Sequence, residues 1–120
     1  MCADKESLVR SFLLSVKSAI QKGNWTFSTV QEKNIDTLTD LGISFRDAKN
    51  EILSLSVTNY CSGPLKDPEM GGEVWVFGKT INGKEIYIKL KLRGDHRNQG
   101  VGVLSFHLAE RPLVYYFKNK

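Results

Sequence analysis
Apolar and polar positions alternate most sharply between Glu73 and His107. The run GEVWVFGKTINGKEIYIKLKLR reads as two strands joined at Asn82-Gly83, because a type I′ turn needs two residues at positive φ and Asn-Gly supplies them at least cost. A two-residue turn also sets the register. Ile81 is expected opposite Lys84, Lys79 opposite Ile86, Gly78 opposite Tyr87, Phe77 opposite Ile88, and Trp75 opposite Leu90. Side chains alternate along a strand. One face then carries Trp75, Phe77, Ile86, Ile88, Leu90 and Leu92, and the other Val74, Val76, Gly78, Tyr87, Lys89, Lys91 and Arg93. The first is a core face. The second is cationic, although its two valines require some cover. A third strand, Val101 to Leu108, is expected to place Leu104, Phe106 and Leu108 on the core face and Val103, Ser105 and His107 on the cationic one. With Arg93 opposite Val101, Tyr87 faces His107 and Lys89 faces Ser105; a two-residue slip would keep all of them on one face.

Upstream the period changes from two to nearly four. Asp4 or Ser7 is placed to cap a helix running to about Lys22, with Leu8, Phe12, Val16 and Ile20 as its apolar stripe and Gly23 just beyond its end. Trp25-Thr26-Phe27 reads as a short strand or an aromatic strap. Asn34 or Asp36 is expected to open a short helix that stops at Gly42. Ser44 with Asp47 forms a capping box for the next helix, which carries Phe45, Ala48, Ile52 and Leu55 on one face. That helix offers only Arg46 and Lys49 against Asp47 and Glu51, a poor charge balance for a DNA-reading helix. Val57 to Gly72 reads as a functional loop or a connector, with Tyr60 and Lys66 as candidate contacts. Leu113 to Phe117 is expected either to add a strand or to lie against the sheet. The fold class is therefore α+β: one domain over residues 1–120, with N-terminal helices on one face of a small antiparallel sheet of three to five strands.

The net charge of +4 sharpens this picture through its location. Residues 79–97 hold six basic residues against two acidic ones, and the rest of the chain balances at 11 of each. The excess sits on the second main strand and its flanking loops, which suits a polyanion or protects a strand edge. Lys66, Lys79, Lys91, Arg93 and Arg97 are the candidate RNA contacts. No apolar run approaches the roughly 20 residues of a membrane span, so no membrane role is expected. MCADKESLVR does not read as an apolar signal segment, and Cys2 and Cys61 do not look like a disulfide framework, so the expected compartment is the cytoplasm.

Phosphate-loop, hydrolase-elbow and zinc-protease motifs are absent from the sequence, and His96 and His107 lack further ligands, so neither metal nor cofactor is expected. The cationic face suits RNA cleavage instead. That reaction needs a base for the 2′-hydroxyl proton, an acid for the leaving 5′-oxygen, and positive charge for the phosphorane. Histidine titrates near neutrality, lysine stabilises transferring phosphate, and tyrosine orients a phosphate or stacks on a base. His107, Tyr87 and Lys89 are the catalytic candidates. The alternative is a non-catalytic module that binds RNA or an acidic protein with the same face.

The order of elements, with Leu41-Gly42, Trp75, Tyr87-Ile88-Lys89 and Ser105-Phe106, resembles the MqsR family of toxins from bacterial toxin–antitoxin modules, which share the RelE-type fold. The likeness covers roughly Leu38 to Lys118. It implies a ribosome-independent mRNA endoribonuclease held inactive by a cognate antitoxin. The family tyrosine falls on Tyr87 and the family lysine after Ser-Phe falls on His107. The family glutamine after the tryptophan falls on Val76, and a loop lysine falls near Ser62.

Overall fold
The first helix, α1 (Lys5–Gln21), starts where Asp4 turns extended, its carboxylate accepting from the Ser7 backbone N–H at 2.8 Å. This capping satisfies one of the helix's orphan donors. It ends before Gly23, at φ 82°. A computed structural model describes residues 4–95 and 97–117; Cys2, His96 and Lys118 lie outside them. After α1 come β1 (Trp25–Phe27), α2 (Glu32–Leu41), α3 (Phe45–Leu53) and a short 3₁₀ turn (Val57–Asn59). Four strands complete the order: β2 (Tyr60–Lys66), β3 (Glu73–Ile81), β4 (Lys84–Arg93) and β5 (Gly100–Leu108). Gly42 takes the left-handed conformation that ends α2. Ser44 and Asp47 form the reciprocal capping box of α3.

The five strands run β1-β5-β4-β3-β2, and β1 pairs with β5 in parallel, so the sheet is mixed rather than wholly antiparallel. The β3–β4 register is the one the Asn82-Gly83 turn predicts. Between β4 and β5, Tyr87 pairs with His107 and Lys89 with Ser105. Beyond them a bulge at Leu104 shifts the register, so that Arg93 faces Gly100 rather than Val101. A bulge inserts one residue and thereby exchanges faces along the strand. Val101 and Val103 therefore join the core, whereas Ser105 and His107 stay on the opposite face.

The core lies between one face of the sheet and the helices. Phe12 of α1 stacks on Trp75 at 4.4 Å, and Phe77, Ile86, Ile88, Leu90 and Phe106 are fully buried with Ala48 and Ile52 of α3. Each such large side chain contributes roughly 1.5–3 kcal/mol on burial. In α1 the buried stripe includes Val9, Leu13 and Ala19, while Leu8 is exposed. This is an α+β arrangement consistent with the RelE-type fold. Among the described residues, no helix is long and apolar enough to cross a membrane.

Two expectations change and one alternative is decided. Asn34 does not open α2; it sits inside that helix, fully buried. Its side chain accepts from the Phe106 N–H and donates to the Leu104 and Ser28 carbonyls. With Thr37 accepting from the Leu108 N–H, α2 finishes the hydrogen bonding of β5 where the short β1 has run out. The span read as a loop after Val57 contains β2, an edge strand with irregular register. Its Tyr60 is a core residue packed against Trp75 and Phe77, not a surface contact. For Leu113 to Phe117, where a strand or a path against the sheet was expected, the second holds: among the described residues the chain after β5 forms no strand and crosses the sheet face opposite the helices.

Candidate functional site
Alternation along β4 puts Glu85, Tyr87, Lys89, Lys91 and Arg93 on that outer face. The two valines that needed cover, Val74 and Val76, are buried there. At one end the chain between β2 and β3 folds over the face. Lys91 Nζ meets Asp67 Oδ2 at 2.8 Å and the Gly71 carbonyl at 2.5 Å, and Lys91 is buried. At the other end Glu85 pins the C-terminal segment, accepting from the Leu113 N–H at 3.1 Å and the Tyr115 hydroxyl at 3.0 Å. The Ala109 N–H reaches the Glu85 carbonyl and the Tyr116 N–H the Tyr60 carbonyl. Gly78 makes this crossing possible: a Cβ there would sit 2.7 Å from the Tyr115 hydroxyl and would also strike Leu113.

Between these two covers a cleft of about 660 Å³ remains open. Its floor is Val76, Tyr87, Lys89, Ser105 and His107; Gln31 and Lys33 stand at the α2 side, and Glu110 to Val114 form a second wall that meets the first where Glu110 approaches Lys33. The Tyr87 and His107 rings stack at 5.2 Å with planes 19° apart. His107 Nδ1 lies 3.0 Å from the Leu108 carbonyl. A carbonyl only accepts, so Nδ1 carries the hydrogen and Nε2 is the nitrogen left for proton transfer. Burial raises the Tyr87 hydroxyl above its usual range, with Cys61 and Glu110 adding to the shift, so it remains a donor at neutral pH. Burial likewise pushes the Cys61 thiol to about 11, with help from Glu85, which leaves it unsuited to act as a nucleophile.

Tyr87, Lys89 and His107 thus share one cleft. The five candidate RNA contacts disperse. Lys79 points to the helix side, paired with Glu51 at 2.7 Å and with Ser54, and ties β3 to the end of α3. Lys91 is committed to Asp67. Arg93 lies on the outer face with its guanidinium over Gly102. Lys66 stands exposed on β2, paired across the strands with Glu73. Arg97 borders a separate depression beside α1, with Ser15, Ser18 and Lys22. Sequence reasoning overlooked Gln31, Lys33 and Arg111. The first two were lost because α2 begins at Glu32, before either expected start, Asn34 or Asp36. Arg111 follows the last strand, where no periodicity tells which way the chain turns. Among the described residues, no three of the His, Cys, Asp and Glu side chains gather as a metal site.

Searches of curated proteins and of solved structures returned no match. A family model, described as "Motility quorum-sensing regulator, toxin of MqsA", matches residues 10–108. That span runs from the second turn of α1 to the end of β5. It contains the floor of the cleft and stops before the segment that walls it. A match over most of the chain, on this fold and with this basic outer face, shows that the protein belongs to the MqsR family of toxins from toxin–antitoxin pairs.

Proposed function
We propose that the protein is an mRNA endoribonuclease that cleaves by 2′-hydroxyl attack without a metal, and that a cognate antitoxin holds it inactive in the cytoplasm. The observation that carries this reading is the stacked Tyr87–His107 pair beside Lys89 in an open cleft. His107 Nε2 takes the proton from the 2′-hydroxyl. The freed oxygen attacks phosphorus, a 2′,3′-cyclic phosphate forms, and the 5′-oxygen leaves with a proton taken from solvent. Lys89 offsets the charge that develops on the phosphorane, where fixed cations act most strongly. The Tyr87 hydroxyl, kept protonated by burial, donates to a phosphate oxygen. Arg93 and Lys66 extend the basic track beyond the cleft, and Arg97 contributes at most to distant backbone contacts. Lys79 and Lys91 support the fold around the cleft rather than holding RNA.

The test is incubation of purified protein and of His107→Ala with labelled mRNA in EDTA. Proton transfer by His107 predicts a loss of roughly 10²–10⁴-fold in rate. An unchanged rate removes His107 from the mechanism. RNA that is bound but never cut supports the non-catalytic module instead.

A further inference from the structure
The segment that walls the cleft lies beyond the family match, yet it is built into the site. Its anchors are specific: Glu85 takes two bonds from it, Gly78 makes room for it, and the Tyr116 ring packs against Tyr60 and lies 5.9 Å from the Lys5 ammonium. What it presents to the cleft is Arg111, followed by Pro112, Leu113 and Val114. Counting His107 as neutral, the charged residues lining the cleft are Lys33, Lys89 and Arg111 against Glu110. Glu110 is itself drawn to Lys33, at 3.6 Å. Lys89 on the floor and Arg111 on the wall are left as the cations of the cleft, with an apolar strip beside Arg111.

We propose that residues 109–117 form a substrate-selecting wall: Arg111 binds a phosphate of the RNA backbone, and the Pro112–Val114 strip holds one unpaired base against the sheet. This rests on the ribonuclease reading and names its substrate class, single-stranded RNA with a splayed base. The volume of the cleft falls in the ~300–1,000 Å³ range of small-ligand sites, enough for a nucleotide or two but not for a duplex. A duplex keeps its bases stacked inside, whereas a loop or an open strand can turn one out. A guanidinium suits the phosphate because its fork matches two oxygens.

The experiment measures fluorescence anisotropy of a 2′-O-methyl oligonucleotide, which cannot be cut, together with cleavage of the matching RNA as single strand and as duplex. Loss of one phosphate contact from a single strand lowers the slope of log affinity against log salt by about 0.7. Arg111→Ala is expected to show that decrease, and Arg111→Lys to restore it. Gly78→Val, which displaces the wall while keeping the full chain, is expected to weaken binding and reduce the preference for single strand over duplex; circular dichroism checks its fold. An unchanged salt slope in Arg111→Ala, with wild-type binding and cleavage intact, overturns the wall's role and leaves the ribonuclease standing. Faster single-strand cleavage by Gly78→Val with unweakened binding marks the segment as an inhibitory cover and also overturns it. Failure of the wild type to bind or cut any RNA overturns both readings.

Discussion
Asn34 is the residue whose replacement most sharply separates this fold from a simpler reading of its sequence. It is fully buried. It accepts from the Phe106 N–H at 3.0 Å and donates to the Ser28 carbonyl at 3.0 Å and the Leu104 carbonyl at 3.2 Å. Asn34→Ala leaves the Phe106 donor without that acceptor inside the protein, at a cost of roughly 1–3 kcal/mol, and loses the two donated bonds besides. The Leu104 carbonyl keeps Gln31 at 3.1 Å, which limits that part of the loss. A total of about 2–4 kcal/mol is expected. For a chain of 120 residues, an unfolding entropy near 2.1 cal/mol/K per residue converts this to a fall in Tm of about 8–16 °C. Asn34→Asp is the decisive variant. As a helix cap, Asp serves as well as Asn. In the observed setting a carboxylate would face the Ser28 and Leu104 carbonyls with no hydrogen to give, and the loss should match or exceed that of alanine. Urea unfolding reads both variants, with the midpoint moving and the slope unchanged. An Asn34→Asp protein within about half a kcal/mol of the wild type, the ordinary scatter of surface changes, would refute this reasoning.

The remaining predictions concern charge and reactivity. Lys91 and two backbone N–H groups hold the Asp67 carboxyl down at about 2, so its stabilising contribution is complete above about pH 4 and is lost as the pH falls through 2. Asp67→Asn should therefore melt below the wild type at pH 6, and the gap should narrow below pH 4 and close only as the pH falls through 2; a constant gap contradicts the pairing. Lys79→Met should leave RNA affinity unchanged because Lys79 serves Glu51 on the helix side, whereas Lys89→Met should weaken it; equal losses in a filter-binding assay would contradict the assignment of faces. With its thiol raised to about 11, Cys61 should be alkylated by iodoacetamide far more slowly at pH 7 than a free cysteine, with the rate recovered in urea, as mass spectrometry of Cys2→Ser protein would show.

The hairpin was legible because a two-residue turn leaves one register open, so Gly78 and Tyr87 could be paired from sequence alone. The Tyr87–His107 pair was legible too, although the assumed Arg93–Val101 partnership was one residue out. The bulge that reconciles the two at Leu104 depends on Gln31 and Asn34, more than 60 residues earlier in the chain. Strand periodicity does not record such a partner. Asn34 reads as a cap because asparagine favours caps wherever it is exposed, and only tertiary burial reverses that. Lys91 differs from Lys89 in nothing the sequence displays, and the Asp67 turn captures it; Lys79, opposite Ile86, is separated from both by alternation itself. The path of residues 109–117 had a faint signal in Gly78, a gap on an otherwise filled face, but nothing local said which segment would fill it.

In the proposed reaction the outer-face cleft cuts RNA through the substrate's own 2′-hydroxyl. The most direct test is to map a cleavage site, then offer the protein the same RNA in EDTA with a single 2′-deoxy substitution at that nucleotide. The unmodified RNA is expected to yield 2′,3′-cyclic phosphate and 5′-hydroxyl ends, and the substituted RNA to stay whole at that position. Cleavage of the substituted RNA, or loss of all cleavage on adding EDTA, would contradict the proposed reaction.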